Sequence, residues 1–205
     1  MKLRSKTPWI ATTALAAACL APVYAQDSGN WLVRARALNL DSANKDNTGL
    51  DLSVNNKVFP EVDISYFLSP NLALELVLTY PQKHDIRAGG TKIGTLKHLP
   101  PTLSLQYHFP MGSFRPYVGA GLNYTNFSKV DFDPAIDTLL QPSIEHSSVG
   151  LALGAGVDFA VGGGWLLNVD VKKVQIRTDV SSFGSKAGTF KVDPVLFSLG
   201  VGKRF

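Results

Sequence analysis

Along residues 99–109, apolar groups take every second position: Leu99, Pro101, Leu103, Leu105, Tyr107 and Phe109. His98, Pro100, Thr102, Ser104, Gln106 and His108 fall between them. A period of two sends the sets to opposite faces of an extended chain. The pattern recurs in seven more segments. Trp31, Val33, Ala35 and Ala37 mark the first, and Val58, Pro60, Val62, Ile64 and Tyr66 the second. Leu72, Leu74, Leu76, Leu78 and Tyr80 form the third, and the stretch above is the fourth. Phe114, Pro116, Val118, Ala120, Leu122 and Tyr124 make a fifth, and Val149, Leu151, Leu153, Ala155, Val157 and Phe159 a sixth. Trp165, Leu167, Val169 and Val171 give a seventh, with a slip of phase expected at Lys172-Lys173. Val195, Phe197, Leu199, Val201, Lys203 and Phe205 give the last. Eight strands are predicted.

Connection lengths alternate. Residues 69–70, 110–113 and 161–164 are tight turns, whereas 41–56, 81–96, 127–147 and 178–191 read as long polar loops. Short turns at one end and long loops at the other predict an all-β fold, an eight-stranded antiparallel up-and-down transmembrane β-barrel. The two faces say which side meets lipid. Although 18% of the chain is charged, Lys203 is the single charge of the apolar set. The opposite face carries Arg34, Arg36, Glu61, Asp63, Glu75, Arg115, Asp158, Asp170, Lys172 and Arg204, with many small residues between. A soluble barrel would disperse such charges over its outside. A crowded, sign-balanced set fits a polar interior, where unpaired charge is costly. Trp31, Tyr66, Tyr107, Phe109, Phe114, Phe159, Trp165 and Phe205 all fall at one edge, as an interfacial aromatic girdle does. Tyr80 and Tyr124 belong to the other edge.

Composition changes the picture mainly at the N-terminus. Lys2, Arg4 and Lys6 precede an apolar stretch over 9–20, and Val23-Tyr24-Ala25 follows as a small-x-small cleavage pattern. Residues 1–25 therefore read as a secretory signal peptide, with the barrel over 26–205. Cys19 raises a lipoprotein alternative, but Ala16 stands where such a signal usually has Leu. Cleavage after Ala25 removes the only cysteine and takes the 20 Lys and Arg down to 17, against 16 Asp and Glu. The mature chain is then close to neutral, which gives no ground for nucleic-acid binding.

Five stretches carry a resemblance: GNWLVRARALNL (29–40), LSPNLALEL (68–76), HLPPTLSLQYHF (98–109), FRPYVGAGLNYTNF (114–127) and VDPVLFSLGVGKRF (192–205). Together they resemble the outer membrane protein W (OmpW) family across the mature chain. One departure is Lys203, where that family usually has an aromatic residue. The resemblance implies an integral outer-membrane barrel with a narrow, largely apolar passage for small hydrophobic molecules, relatives of which take part in alkane and aromatic-hydrocarbon uptake. Outer-membrane lipid and hydrophobic solutes are the partners it implies.

The residues support passage only in part, because an eight-stranded barrel is barely wide enough for its own side chains. A solute would enter from the loop end and leave sideways. Proline cannot donate to a ladder, so Pro60, Pro100, Pro101 and Pro116 each weaken the wall, and Pro100-Pro101 are the lateral-exit candidates. A mere kink is the alternative. The interior charges either select solutes or form a salt-bridged plug. Leu32 and Leu166 face inward by phase, toward a possible apolar constriction. Other chemistry finds little footing. VGAGLNY, LGAGVDF and LGVGKRF contain G-x-G, but no helix or Lys-Ser/Thr follows to cradle a phosphate. His84, His98, His108 and His146 form no HxxxH or HExxH pair, so no metal site, cofactor or catalytic residue is expected. A lipid-modifying enzyme needs a nucleophile and base together, and the nearest grouping is His146 with Glu145, Ser147 and Ser148 at a loop border. A non-transporting barrel, either structural and membrane-stabilising or surface-recognising, is the competing reading, with DFDPAID (131–137) and residues 136–140 binding external partners such as a phage or bacteriocin in the second case.

Overall fold

Alternating side chains become alternating environments in the computed structural model, which describes residues 29–205. The targeting segment expected over 1–25 lies outside the described residues. Along β1 (Trp31–Asp41) every residue from Trp31 onward is exposed and buried in turn. The chain continues through β2 (Lys45–Asp46), β3 (Leu52–Val54), β4 (Lys57–Phe67), β5 (Leu72–Leu78), β6 (Gln82–Ala88), β7 (Thr91–Leu99) and β8 (Thr102–His108). It then forms β9 (Phe114–Phe132), the short helix α1 (Pro134–Leu140), β10 (Pro142–Ile144), β11 (Ser147–Gly162), β12 (Trp165–Val174), β13 (Arg177–Ser182), β14 (Ser185–Lys191) and β15 (Val195–Arg204).

Eight of these strands close a barrel in the order β1-β4-β5-β8-β9-β11-β12-β15, with each antiparallel to the next. The first and last strands complete the circle from Leu32 opposite Arg204 to Asp41 opposite Val195. Closure leaves no sheet edge. The outer surface is a belt of exposed Leu and Val, including Leu74, Leu105, Leu122, Leu151, Leu167 and Leu199. Trp31, Tyr66, Tyr107, Phe109, Phe114, Phe159, Trp165 and Phe205 are exposed below it at the short-turn end. Several pair, with ring centres 4.8 Å apart for Trp31–Tyr66, 5.0 Å for Tyr107–Phe109 and 5.2 Å for Phe114–Phe159. Lys203 lies among them, its ammonium 5.1 Å from the Trp165 ring centre. A cation at that depth is tolerated, costing about 0–1 kcal/mol.

Three expectations need correction. The fourth strand is not one run over 99–109: Pro100-Pro101 break it, so that the wall strand is Thr102–His108 and Leu99 ends the separate β7. Two successive residues without an N–H cannot sustain the ladder. No slip of phase occurs at Lys172-Lys173. Alternation runs on, with Lys172 inward, Lys173 outward and Val174 inward. The long connections are not polar coil either. They fold into hairpins, β6 with β7 and β13 with β14, over a core of Leu52, Val54, Ile86, Leu96, Phe127, Val180, Phe190 and Val192.

Candidate functional site

Inward positions change character at one level of the barrel. Toward the loop end, β1 passes from Arg34 and Arg36 to Leu38 and Leu40, and β4 from Asp63 and Glu61 to Phe59. β5 likewise passes from Glu75 to Val77, and β12 from Asp170 and Lys172 to Val174. Stacked together, these switches divide the bore into a charged layer and an apolar chamber above it.

The charged layer is dense and buried. The Arg34 guanidinium grips Asp158 in a fork, Nε to Oδ1 at 3.0 Å and Nη2 to Oδ2 at 2.7 Å, and its Nη1 donates to Asp63 at 2.8 Å and to Ser65 at 3.1 Å. Arg36 lies 2.7 Å from Glu61 and 2.8 Å from Asp63, with Glu75 at 3.5 Å. Lys172 is 3.3 Å from Asp170, 3.6 Å from Glu61 and 3.8 Å from Glu75. Neutral groups complete the layer, since Tyr117 donates to Asp170 at 2.8 Å and Asn168 to Asp158 at 2.8 Å. Small residues opposite make room: a methyl on Gly202 would press on the Arg34 side chain, and one on Gly156 would overlap the Tyr117 hydroxyl. Buried charges paired with opposite charges, and forked at Arg34–Asp158, form a septum, because each would be costly alone.

Arg115 and Arg204 lie on the turn side of this septum, 5.7 Å and 3.9 Å from the Phe67 ring centre. Leu32 and Leu166 are buried there too, in one cluster with Phe67 and Ala73. Phe67 and His108 stack beneath the layer's Tyr117, with successive ring centres 4.9 Å apart.

Above the septum, Leu38, Leu40, Phe59, Val77, Val174, Ile176 and Leu196 line a tight apolar chamber with about 20 Å³ of free space. Lys172 and Glu61 form its floor, and Thr79, Pro100 and Thr102 one side. The enclosed part admits little beyond a single water, so a solute must displace side chains. None of these apolar residues was singled out by sequence, although their inward phase was readable.

The wall is thin beside Pro100. The β5–β8 ladder ends at Val77 opposite Thr102, and the β4–β5 ladder at Val62 opposite Leu78. Beyond these pairs, no backbone ladder among the described residues joins 57–61 or 99–101 to 79–81. Only side-chain links cross there, from Thr79 to the Pro60 carbonyl at 3.3 Å and from Lys57 to the Lys83 carbonyl at 3.1 Å. On the other side Pro101 stays tied, its carbonyl accepting from the Tyr124 N–H at 3.0 Å. Pro60 and Pro116 sit within paired strands, opposite Ala37 and Val157.

The loop groups show no catalytic geometry. His146 is exposed and shares its Nδ1 with the Phe127 carbonyl at 3.4 Å, while Ser148 Oγ accepts the Arg177 N–H at 3.0 Å. Among the described residues no three of His, Cys, Asp and Glu are grouped to hold a metal ion.

Comparison with known proteins adds the ancestry. The OmpW family model matches residues 27–205. The chain belongs to the OmpW family. It is 33% identical to outer membrane protein W of Vibrio cholerae, over 93% of this chain and 95% of that one. It is 28% identical to the dibenzothiophene metabolism operon protein PahQ of Pseudomonas aeruginosa, over 91% of this chain and 94% of that one. The crystal structure of the outer membrane protein OprG from Pseudomonas aeruginosa superposes with a TM-score of 0.75 at 27% identity, covering 86% of this chain and 96% of that one. As an OmpW-family barrel the protein is integral to the bacterial outer membrane, its short turns periplasmic and its hairpins extracellular.

Proposed function

We propose that this barrel is a passive conduit for small hydrophobic molecules, taken up at the extracellular end and released sideways into the bilayer beside Pro100-Pro101. The carrying observation is the chamber itself: apolar on its walls, floored by a buried ion-pair septum, and bordered by a stretch of wall where, among the described residues, no backbone ladder forms. An uncharged apolar solute gains by entering such a space, whereas a polar one loses its water without compensation. The floor turns it toward the lipid. A relative bearing the name of a dibenzothiophene metabolism operon protein is in keeping with an aromatic hydrocarbon as cargo. Flux into liposomes tests the reading, with a small hydrophobic and a small polar solute compared. The expected result is accelerated entry of the hydrophobic solute alone, slowed in Pro100→Val/Pro101→Val. Equal entry with and without protein contradicts conduction, and unchanged uptake by the double variant removes the lateral route.

A second reading, recognition at the loops, has its own observation. An open pocket of about 360 Å³ lies between the outer end of β9, α1 and β10, with Asp131, Asp137 and His146 among its walls. Leu139 and Phe183 stand exposed nearby, 67% and 61%. Loss of an external ligand on trimming these loops, with flux intact, supports that reading.

A further inference from the structure

His84 on β6 and His98 on β7 have no part in the septum or the chamber lining. Both are buried, each 1% exposed, and their ring centres are 4.5 Å apart with the planes 40° from parallel. The register explains the approach: Gln82 faces His98 directly across the hairpin, and His84 faces Leu96, so the imidazoles are diagonal neighbours. Gln82 is fully buried beside them, its amide nitrogen donating to the Tyr80 carbonyl at 3.0 Å. Three atoms in this small space have no hydrogen-bond partner: His84 Nε2, His98 Nε2 and Gln82 Oε1. Buried polar atoms are seldom left so, because each unmet one costs free energy.

The Gln82 amide oxygen offers lone pairs, and each imidazole Nε2 does so when its Nδ1 carries the proton. His84 Nδ1 lies 3.0 Å from the Asn55 carbonyl, which can only accept, so Nδ1 carries the proton and Nε2 is the bare nitrogen. A backbone carbonyl fixing the tautomer and ring angle in this way is the usual support behind a metal-bound histidine. Burial disfavours the charged form of both rings. It pushes His98 down to about 3, helped by the adjacent His84 and by Lys57, and it lowers His84 as well. Neutral imidazole is the ligating form.

We propose that His84 and His98 bind one divalent transition-metal ion through their Nε2 atoms, with the Gln82 amide oxygen as a third ligand. Two imidazoles on one zinc ion, at Zn–N bonds of about 2.0–2.1 Å, place their ring centres about 5 Å apart, close to the spacing present here. Nitrogen donors with one neutral oxygen favour zinc, nickel or copper over magnesium or calcium. Phe127 closes one side of the site, its ring centre 6.4 Å from that of His98. Lys57 opposes positive charge at His84 and Asp85 favours it, and with three neutral ligands the site is weaker than a four-ligand structural zinc. Bound there, the ion staples β6 to β7 directly above the unpaired wall.

The test uses the tag-free mature protein in lipid, titrated with zinc and copper ions alone. One equivalent is expected, and at a hundredfold excess over Kd the unfolding equilibrium constant should fall about a hundredfold. His84→Gln and His98→Gln should each abolish that equivalent, while His146→Gln in the exposed loop should leave it. Absence of binding overturns the site, and so does binding that survives both substitutions or vanishes with His146→Gln. Should either substituted hairpin fail to fold, the wild-type histidine 15N spectrum decides instead. Zinc must move two Nε2 resonances, and an unmoved spectrum sinks the proposal.

Discussion

Replacing Arg34 by Met probes the septum at its tightest point. Four donated hydrogen bonds disappear, two to Asp158 and one each to Asp63 and Ser65, all in a region with almost no solvent exposure. Asp63 keeps Arg36 at 2.8 Å, so most of the damage falls on Asp158, which loses both bonds of the Arg34 fork and keeps the neutral Asn168 amide at 2.8 Å. Stranding one partner of a buried ion pair costs about 3–5 kcal/mol. At 1.4 kcal/mol per tenfold, that is roughly two to three and a half powers of ten in the folding constant. Urea unfolding in phospholipid vesicles, followed by tryptophan fluorescence, measures it. Adding Asp158→Asn to the same chain removes the stranded charge and should recover part of the loss. A loss under about 1 kcal/mol for Arg34→Met would refute the reasoning, since it means that water reaches the layer and screens the carboxylates.

Other consequences follow from the same physics. Leu105→Arg puts a cation near the middle of the apolar belt and should cost about 2–4 kcal/mol by the same urea assay, far more than the native Lys203 at the rim. Phe183 and Gly184 are the two central residues of the β13–β14 turn and both have positive φ, 49° and 74°; Phe183→Asn should therefore stabilise that hairpin, read as slower amide exchange in β13 and β14. Desolvation raises the Asp46 carboxyl, but N–H groups of Leu52, Thr48 and Gly49 and the Thr48 hydroxyl together outweigh it and hold the group below the usual range. A lowered native value means that this support is complete above the unfolded pKa of about 3.9 and is lost as pH falls through the native one, so the Thr48 and Leu52 amides should exchange faster only in that acid range.

Period-two alternation made the barrel legible because each strand meets two different solvents, lipid outside and a packed polar bore inside. The same logic misled where those environments changed. Past the outer rim, water replaces lipid outside and an apolar core replaces charge inside. Lys173 and Val174 therefore looked out of phase when only the surroundings had inverted. Leu38, Leu40 and Phe59 share the inward phase of Leu32 and Leu166, but they lie toward the loop end, on the far side of the charged layer from those two. Reading the inward face alone, strand by strand, would have found the chamber. The loops defeated sequence reading for a related reason: Val54, Ile86, Val180 and Phe190 are scattered among polar residues, and only long-range pairing gathers them into a core. Pro100-Pro101 announced a weakness, but its width depends on Thr79 and the upper end of β4, which no local pattern links to them.

Photolabelling gives the most direct test of a bore sealed below and open to one side. A small alkyl diazirine, activated on the protein in native outer membranes and located by mass spectrometry, should mark Phe59, Val77 and the 79–81 and 99–101 segments. Labels on Leu32, Phe67 and Leu166 instead would mean that solute crosses the ion-pair septum to the periplasm, contrary to the mechanism proposed for this barrel.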